Sequence, residues 1–507
     1  IILAALDSNS DHFSEYISTY YGDKIHSYDA QIITASDTNY DIHMVEKKII
    51  NTSGQVKRTN NWYFGLNAGL EFNSNYPKVL TDGNIVTGGG SAIMSDTSGN
   101  LMFYSDGENV WNKNHDLMPN GQGLLGLNGS TQAALIIPIP ENDTLLYLFT
   151  TDGINSALTY GLRYSIINMN LKNGLGNVTS TKNVKLLQPV SQKISAVYHS
   201  NGIDIWLLTH HWGSDTFYSY KITSSGISQP VLSGVGTYHT GSHANSTGHL
   251  KLSPDGKKIA VTSQNKGILE IFDFDNSTGV VSNQIQFNFP IVHGIEFSPS
   301  SSLLYVSTLS ASEIFQINLN AGSDSAIKKS LLKIGEAKKE PPMGQDYGLG
   351  SLQLASDGKI YCATAQIGSY FLDVILQPDS LGENCRFKNQ YVFLNGKTSF
   401  FGFPNFFRSY FNNMPTANFP KLSGEIKMSH STTNHGKVYL YSAYKNYSFR
   451  LFDSTTFEMK NNGTFEFPFM NDAQYKMIAV LDSNSTDYNN YYSTWYGDEL
   501  DSANASI

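Results

Sequence analysis

Short runs of alternating apolar and polar residues, separated by glycine-containing turns, fill residues 248–287. The runs read HLKLSP, IAVTSQ, ILEIFDFD and VVSNQIQF, and the turns between them contain Asp-Gly, Lys-Gly and Thr-Gly. Runs of this length predict β-strands, and glycine supplies the positive φ that tight hairpin turns require. The stretch is therefore predicted to form a four-stranded antiparallel sheet.

The same pattern returns along the chain. LKLSPDG at 250–256 recurs as IEFSPSS at 295–301 and as LQLASDG at 352–358, and an apolar run follows each copy. Weaker copies begin further upstream, near Ala92, Ala133 and Ser195. One such sheet cannot bury both faces alone, so repetition at this spacing predicts the radially packed sheets of a β-propeller.

Two aromatic stretches at opposite ends of the repeats predict how the ring closes. NNWYFGLNAGLEF occupies 60–72 and TSFFGFPNFFRSYF occupies 398–411, and neither has a whole repeat around it. Pairing them in one blade would bury the last open sheet edges. We therefore expect an all-β protein with a seven-bladed propeller at 60–411, with six or eight blades as the alternatives.

The two ends of the chain resemble each other. LDSNS and a Tyr-x-Ser-Thr-x-Tyr-Gly-Asp core occur in both, so that Asp7 aligns with Asp482. We interpret residues 1–50 as the C-terminal part of a small β-sandwich and residues 421–507 as the N-terminal part of a second, homologous one. Each partial sandwich would leave strand edges open. Flanking chain, or strand exchange in a head-to-tail polymer, could complete them, and the first is favoured.

Composition excludes several classes of protein. The chain has 507 residues, of which 40% are hydrophobic, 12% aromatic and 15% charged, with 43 glycines. A formal net charge of −9 without a basic stretch argues against nucleic acid and anionic membranes as partners. We expect no membrane insertion, because no apolar run reaches the ~18 residues of a spanning helix.

The propeller resembles the large extracellular β-propeller modules of Bacteroidota, which often belong to type IX secretion-associated surface proteins. The resemblance rests on NNWYFGLNAGLEF, on SDTSGNLMFYSDGENVWNKNHDLMPNG, on SPDGKKIAV with LEIFDFDNSTGVVS, and on FFGFPNFFRSYF. The flanking pieces resemble the prealbumin-like, carboxypeptidase regulatory-like sandwich through NGTFEF, YKMIAVLDS and YYSTWYGD, although Ser18 and Ser493 replace a usual proline. The resemblance implies export, a surface location and tandem repeats of such domains, without a known reaction.

Candidate catalytic residues do not form a recognisable set. Glu296, His293 and Asp357 could converge at one mouth of the central channel of the propeller. However, Glu296 aligns with Lys251 and Gln353 in the other repeats, which is typical of a strand position whose residue type varies. The Gly-rich TGGGSA at 87–92 lacks the lysine of a phosphate-binding loop, and no Gly-x-Ser-x-Gly is present. We expect no enzyme activity, no catalytic residue and no cofactor; a propeller hydrolase or lactonase is the least favoured alternative.

Metal sites are also weakly supported. Seven histidines occur between His199 and His293, without helical metal-ligand spacing, and we interpret them as loop and channel-rim residues. Asp-rich turns at 273–276 and 482–487 could offer oxygens to calcium but lack the calcium-loop pattern. Cys362 and Cys385 fall in non-neighbouring positions of one blade, so a disulfide would need a loop to fold back. We expect no metal site.

The function expected from this chain is structural or adhesive, as a segment of a large secreted, repetitive surface or filament protein. Neighbouring copies of the repeat, and a surface glycan, would then be its partners. The alternative is a glycan- or peptide-binding module that uses exposed aromatics in HHWGSDTFYSY at 210–220. Asp-Ser/Thr-apolar patterns resemble the Bacteroidota O-glycosylation signal and give five candidate sites, Thr144, Ser325, Ser380, Ser454 and Ser502.

Overall fold

A computed structural model describes residues 55–74, 76–337, 348–365 and 370–412, and shorter stretches between 414 and 495. Before residue 50 it describes four two-residue strands that pair β1 with β3 and β2 with β4: β1 (Leu3–Ala4), β2 (Tyr16–Ile17), β3 (Thr19–Tyr20) and β4 (Val45–Glu46). The predicted domain bounds 1–50, 60–411 and 421–507 stay predictions.

Within the described residues from 61 to 393, seven antiparallel sheets follow in chain order, and we number them sheet 1 to sheet 7. Sheet 1 contains β5 (Asn61–Phe64), β6 (Ala68–Glu71) and β7 (Lys78–Leu80). Sheet 2 contains β8 (Ala92–Ser95), β9 (Leu101–Ser105), β10 (Asn109–Asn112) and β11 (Leu117–Gln122). Sheet 3 contains β12 (Ala134–Pro138), β13 (Leu145–Thr150), β14 (Leu162–Asn168), β15 (Asn177–Val178) and β16 (Val184–Leu187).

The remaining sheets repeat this plan. Sheet 4 contains β17 (Val190–Tyr198), β18 (Ile205–His211), β19 (Ser214–Thr223), β20 (Gly226–Ile227) and β21 (Val231–His239). Sheet 5 contains β22 (Leu250–Leu252), β23 (Lys258–Ser263), β24 (Ile268–Asp275) and β25 (Val280–Asn288). Sheet 6 contains β26 (Val292–Phe297), β27 (Leu303–Thr308), β28 (Glu313–Asn318) and β29 (Leu332–Glu336). Sheet 7 contains β30 (Leu349–Leu354), β31 (Ile360–Thr364), β32 (Phe371–Ile375) and β33 (Phe387–Phe393).

Helices contribute little to the described part of the chain. One α-helix, α1 (Asp324–Lys329), lies between β28 and β29, and Ser323 caps it by accepting a hydrogen bond from the Ala326 N–H. Six short 3₁₀ helices lie at Val56–Thr59, Ile154–Ser156, Lys172–Gly174, His243–Ser246, Gly382–Cys385 and Arg408–Phe411. Among these described residues, no helix has the length and apolar character needed to cross a membrane.

Sheet 5 shows why this sequence folds as it does. Its four strands coincide with the four apolar runs expected from the sequence, and they pair in chain order. The turn glycines Gly256, Gly267 and Gly279 have φ values of 70°, 64° and 79°. A side chain is disfavoured at such φ values, so glycine fixes where each hairpin turns.

The sheets are arranged as a closed ring. The first strands of consecutive sheets contact one another from β5 and β8 through to β26 and β30. Sheet 7 then meets sheet 1, where the Trp62 and Tyr361 rings lie 5.8 Å apart. The first strands of the sheets therefore surround a common axis, and the central part of this all-β chain is a propeller. The count of seven blades stays a prediction.

The two aromatic end stretches do meet at the closure. Leu66 forms an antiparallel bridge with Thr398, and the Phe403 ring packs 5.3 Å from Trp62 and 5.0 Å from Phe64. The second stretch adds no further regular strand to sheet 1; its last residues turn into the axis of the ring. Closure therefore relies on ring packing and a bridge more than on a complete ladder.

A separate β region follows the propeller, and we call residues 422–495 the C-terminal β region. It contains β34 (Leu422–Glu425), β35 (His435–Ala443), β36 (Arg450–Glu458), β37 (Thr464–Phe467), β38 (Gln474–Leu481) and β39 (Thr494–Trp495). β34 pairs with β37, and the other four form one sheet in the order β36-β35-β38-β39. Val438, Leu440, Phe457 and Phe467 form a small core between the two sheets.

Candidate functional site: the propeller axis

The axis is the place where a propeller usually offers a cavity, and here the chain itself fills it. We call Thr398–Phe411 the axial segment. The Phe401 carbonyl accepts a hydrogen bond from the Ser351 N–H at 2.9 Å, in sheet 7. The Asn405 N–H donates to the Ser91 carbonyl at 2.8 Å, beside sheet 2. The segment therefore lies against first strands on different sides of the ring.

Glycines allow this close approach. A Cβ atom on Gly402 would lie 1.9 Å from the Gly89 carbonyl oxygen, and one on Gly89 would lie 2.0 Å from the Ser130 carbonyl oxygen. The Gly89 and Gly90 N–H groups donate to the carbonyls of Asn128 and Ser130. The Gly-rich TGGGSA is thus a packing site for the backbone, and these two N–H groups are not free to bind a phosphate.

Two amide side chains tie the segment to the other side of the ring. Gln132, in the turn before sheet 3, donates from Nε2 to the carbonyls of Ile194 and Leu250 at 2.9 and 3.1 Å. Asn405 donates from Nδ2 to the Ile194 carbonyl at 3.1 Å. Gln132 Nε2 also lies 3.3 Å from Asn405 Oδ1. The axial segment is thereby bonded to the first strand of sheet 4 and, through Gln132, to that of sheet 5.

A buried charge cluster completes the axis. Glu296 accepts hydrogen bonds from Lys251 Nζ at 2.7 Å and from both terminal nitrogens of Arg408, with Nη1 at 3.2 Å. Lys251 Nζ also donates to Gln353 Oε1 at 2.9 Å, and Arg408 Nε donates to the Leu252 carbonyl at 3.0 Å. All three charged side chains are almost fully buried. The axial segment therefore inserts a cation between sheets 5 and 6, and Lys251 connects both of them to sheet 7.

The electrostatics of this cluster follow from burial and pairing. Burial would raise the pKa of Glu296, but the adjacent Arg408 and Lys251 outweigh burial and hold the pKa below its usual value. Burial lowers the pKa of Lys251 to about 8, despite the opposing effect of Glu296. A carboxylate held ionised between two cations is suited to joining strands. It is poorly suited to taking a proton from a substrate.

A very small cavity lies at the axis. The cavity there has a volume of about 10 Å³, and its lining comes from several sheets and from the axial segment: Thr131, Gln132, His249, Lys251, Ser351, Leu352, Gln353, Phe403, Pro404 and Asn405. A single water needs about 10–15 Å³, whereas ligand sites measure about 300–1,000 Å³. This cavity therefore has room for about one water.

The residues proposed from the sequence for catalysis do not share one site. Asp357 bonds to Lys359 Nζ and to the Tyr361 hydroxyl, each at 2.8 Å, in the first turn of sheet 7. The His293 Nδ1 atom lies 2.7 Å from Gln264 Oε1. Glu296 has the separate partners described above. Each of the three side chains is thus engaged in its own local structure.

Four of the histidines form two buried pairs. The rings of His210 and His239 stack with centroids 3.6 Å apart, and His239 Nε2 lies 4.0 Å from Glu270. The rings of His249 and His293 lie 5.1 Å apart, edge to face. Burial, then the neighbouring charges, hold the pKa values of His210, His239 and His249 well below the usual range. Burial lowers the pKa of His293 to about 4.

The prediction of loop histidines is therefore only partly right. His243 is exposed in a 3₁₀ turn, but His239 is the buried last residue of β21. No three His, Cys, Asp or Glu side chains come together as a metal site within the part of the chain that the structure describes. Asp275, one of the calcium-ligand candidates, accepts hydrogen bonds from the side chains of Ser277 and Thr278 in its own turn. Its carboxylate oxygens are therefore already bonded to donors of the protein.

The aromatic residues proposed for ligand binding are mostly in the core. In HHWGSDTFYSY, Phe217 is 1% exposed, Tyr220 4% and Trp212 9%. Tyr218 and His211 are partly exposed and stack on each other with centroids 5.7 Å apart. The segment therefore presents little aromatic surface to a glycan or peptide.

The other proposed sites have these positions. Cys362 and Cys385 are both free thiols and buried. Of the candidate O-glycosylation residues, Ser325 and Ser454 are exposed, and Thr144 and Ser380 are partly buried. Ser502 lies outside the described residues. Modification of these hydroxyls stays a prediction.

A larger cavity lies away from the axis. Its volume is about 270 Å³, and it is lined mainly by sheets 2, 3 and 4 and by the 3₁₀ helix before sheet 1. Arg58, Tyr198 and Met102 line it, with the loop 138–143. Arg58 Nε donates to Gln55 Oε1 at 3.1 Å. No sequence pattern singled out these residues, because they come from four separate elements.

The sequence contains one signal of the axial cluster. Lys251, Glu296 and Gln353 occupy the same position of three successive repeats, and the variability expected from the sequence is in fact a change of charge at that position. The structure places all three in contact at the axis. Opposite charges at equivalent positions of adjacent blades are complementary, because equivalent positions surround one axis. Arg408 had no such signal, since it lies in no repeat.

The similarities of this chain to known proteins are distant. No family model and no curated relative matches the chain. A protein of unknown function from Desulfotomaculum acetoxidans is 16% identical with a TM-score of 0.39, covering 69% of this chain and 99% of that one. A candidate 6-phosphogluconolactonase from Bacteroides fragilis is 13% identical with a TM-score of 0.40, covering 62% and 90%. Kluyveromyces lactis Hsv2 is 11% identical with a TM-score of 0.33, covering 63% and 90%.

Proposed function

We propose that this chain is a non-catalytic structural module, a propeller whose axis is occupied by its own chain. The observation that carries the proposal is the axial segment. Its backbone, glycines and Arg408 occupy the space in which a propeller enzyme would hold substrate, and one cavity between the segment and the surrounding sheets measures about 10 Å³. Where a ligand would bind in a propeller enzyme, this segment instead forms hydrogen bonds and ion pairs that connect the sheets.

The wider context of the proposal is a secreted, repetitive surface or filament protein. The sequence resemblance to Bacteroidota surface propellers supports it, as do the homologous end segments. Ser325 and Ser454, which fit the O-glycosylation pattern, are exposed to solvent. In this role the propeller would act as a stiff spacer, with adhesion supplied by its outer surface or by neighbouring domains.

Two experiments test this function. Antibodies raised against the purified chain should label intact cells of the source organism; labelling only after permeabilisation would contradict a surface role. The purified chain should show no turnover of lactone, ester, glycoside or phosphoester substrates above a heat-denatured control. Activity that is lost in Glu296→Gln while circular dichroism shows this variant to be folded, and that is kept in Glu313→Gln, would contradict the non-catalytic assignment.

A binding module is the second candidate, and the 270 Å³ cavity is the observation that favours it. Arg58 and Tyr198 provide polar groups there, beside the apolar side chains of Met102 and Ile205. A glycan and peptide array tests this candidate. Binding that Arg58→Ala abolishes, and that Arg163→Ala leaves intact, would replace the structural assignment with a binding one.

A further inference from the structure

The outer surface of sheet 7 contacts the C-terminal β region through a partly buried ion pair and several aromatic side chains. Lys388, on the outermost strand β33, forms an ion pair with Asp453 on β36, with Nζ 2.7 Å from Oδ1. Their side chains are only 21% and 15% exposed. Pairs fixed at this burial are screened less than surface pairs are, so they define a geometry more strictly.

Aromatic contacts surround this ion pair. The Phe452 ring lies 6.0 Å from the Tyr391 ring in a stacked arrangement and 5.6 Å from the Tyr475 ring. Lys388 Nζ lies 6.0 Å from the centre of the Phe452 ring. Phe452 packs against the large core cluster of sheets 1 and 7 and also against the core of the C-terminal β region. One side chain therefore joins two hydrophobic cores.

The contact extends across the closure of the ring. Tyr76, in the connection between β6 and β7 of sheet 1, packs against the core of the C-terminal β region. Lys388 and Tyr391 belong to sheet 7, the last sheet of the ring. The C-terminal β region therefore touches both sheets that meet where the propeller closes.

We propose that Lys388, Tyr391 and Tyr76 form a docking surface for the Phe452–Asp453 pair of β36, which makes the propeller and the C-terminal β region one rigid unit. Neighbouring domains ordinarily move relative to each other unless their interface is strong. Here a shielded ion pair, an aromatic shared by two cores and contact with two sheets oppose rotation about the connecting segment. The unit would transmit force without bending, wherever the protein is located.

Small-angle X-ray scattering of the intact chain tests this docking. Lys388→Asp places two carboxylates together, so the radius of gyration and the maximum dimension should both increase. The charge-swapped double variant, Lys388→Asp with Asp453→Lys, should restore the wild-type values. Lys333→Asp is the matched control, because Lys333 forms an ion pair with Glu313 at 2.8 Å on an outer strand of sheet 6, within the propeller.

The scattering results that would overturn the docking are distinct from those that would support it. Equal scattering curves for Lys388→Asp and Lys333→Asp would overturn the proposal, and so would a wild-type curve that only an ensemble of domain orientations can fit. If Lys388→Asp fails to fold, Asp453→Lys alone makes the same test without changing the propeller. Asp453→Lys should then increase both dimensions while circular dichroism remains that of the wild type.

Discussion

Replacing Glu296 by glutamine changes one charge at the axis and almost no volume. The wild-type carboxylate accepts from Lys251, from Arg408, from the Phe297 N–H at 2.9 Å and from the Leu354 N–H at 3.1 Å. Glutamine keeps one acceptor oxygen and adds an N–H₂ group that faces the same donors. Two buried cations would then lose their shared counter-charge.

The expected cost is large. Breaking a buried ion pair by removing one partner costs about 3–5 kcal/mol. Arg408→Met should cost less, about 1–3 kcal/mol, because Glu296 loses the hydrogen bonds from Arg408 but keeps Lys251 as its counter-charge, and the Leu252 carbonyl loses one donor. Glu313→Gln, also in sheet 6, should cost at most about 1 kcal/mol, since its pair with Lys333 is partly exposed.

Urea unfolding followed by tryptophan fluorescence measures these differences. With a slope of about 3 kcal/mol per molar urea, Glu296→Gln should lower the midpoint by about 1 M or more. The order of destabilisation should be Glu296→Gln, then Arg408→Met, then Glu313→Gln. A Glu296→Gln midpoint equal to that of Glu313→Gln would refute the buried cluster.

The pH dependence of the same variant provides a second check. Lys251 already has a pKa of about 8 in the folded chain, below the value of about 10.4 in an unfolded one. Removing Glu296 should lower that folded pKa further, because Glu296 opposes the effect of burial. In the variant, the pH range over which Lys251 is protonated in the unfolded state but not in the folded state is then wider. Across that range the free energy of unfolding rises with pH. The penalty of Glu296→Gln should therefore be smaller at pH 9 than at pH 7.

Further predictions concern packing and the buried histidines. Gly402→Ala should lower the urea midpoint strongly, because its Cβ would meet the Gly89 carbonyl oxygen. Gly129→Ala is the control and should not lower the midpoint, because its Cβ meets nothing within 4 Å. Equal midpoints for the two variants would contradict the packed axis. His293 has a pKa of about 4 in the folded chain, against about 6.5 in the unfolded one. Its contribution to the free energy of unfolding is therefore fully present above pH 6.5 and falls by about 3 kcal/mol as the pH drops to 4. His293→Gln should flatten this acid loss, measured by urea titrations from pH 7 to 4, whereas exposed His243→Gln should leave it unchanged. An unaltered acid loss in His293→Gln would contradict the assignment.

Local sequence pattern predicted the repeating sheets well. Sheet 5 needed only alternating runs and the turn glycines Gly256, Gly267 and Gly279, because a hairpin is specified by residues close together in the chain. Sheet 1 was harder to predict, since its contact with Thr398 joins residues from opposite ends of the propeller. The two stretches could be matched by their aromatic content, but their backbone geometry could not be predicted from it.

The axial site was less predictable than the fold. Its central pair, Glu296 and Arg408, is separated by more than a hundred residues, and no periodic pattern connects them. The Gly-rich segment at 88–90 could be recognised as unusual, but the reason for it lies in Gly402 on a distant part of the chain. Long-range close approach leaves no local signal in the sequence, so only the structure shows that the axis is filled.

Hydrogen–deuterium exchange on the intact chain tests the filled axis most directly. Buried, hydrogen-bonded amides exchange only when the structure opens. Peptides that cover Phe401–Phe411 should therefore be protected as strongly as those from the first strand of sheet 6, Val292–Phe297, and far more than the exposed turn at 223–226. Exchange of the axial segment at the rate of that turn would contradict the account, because it would mean that the segment lies outside the ring.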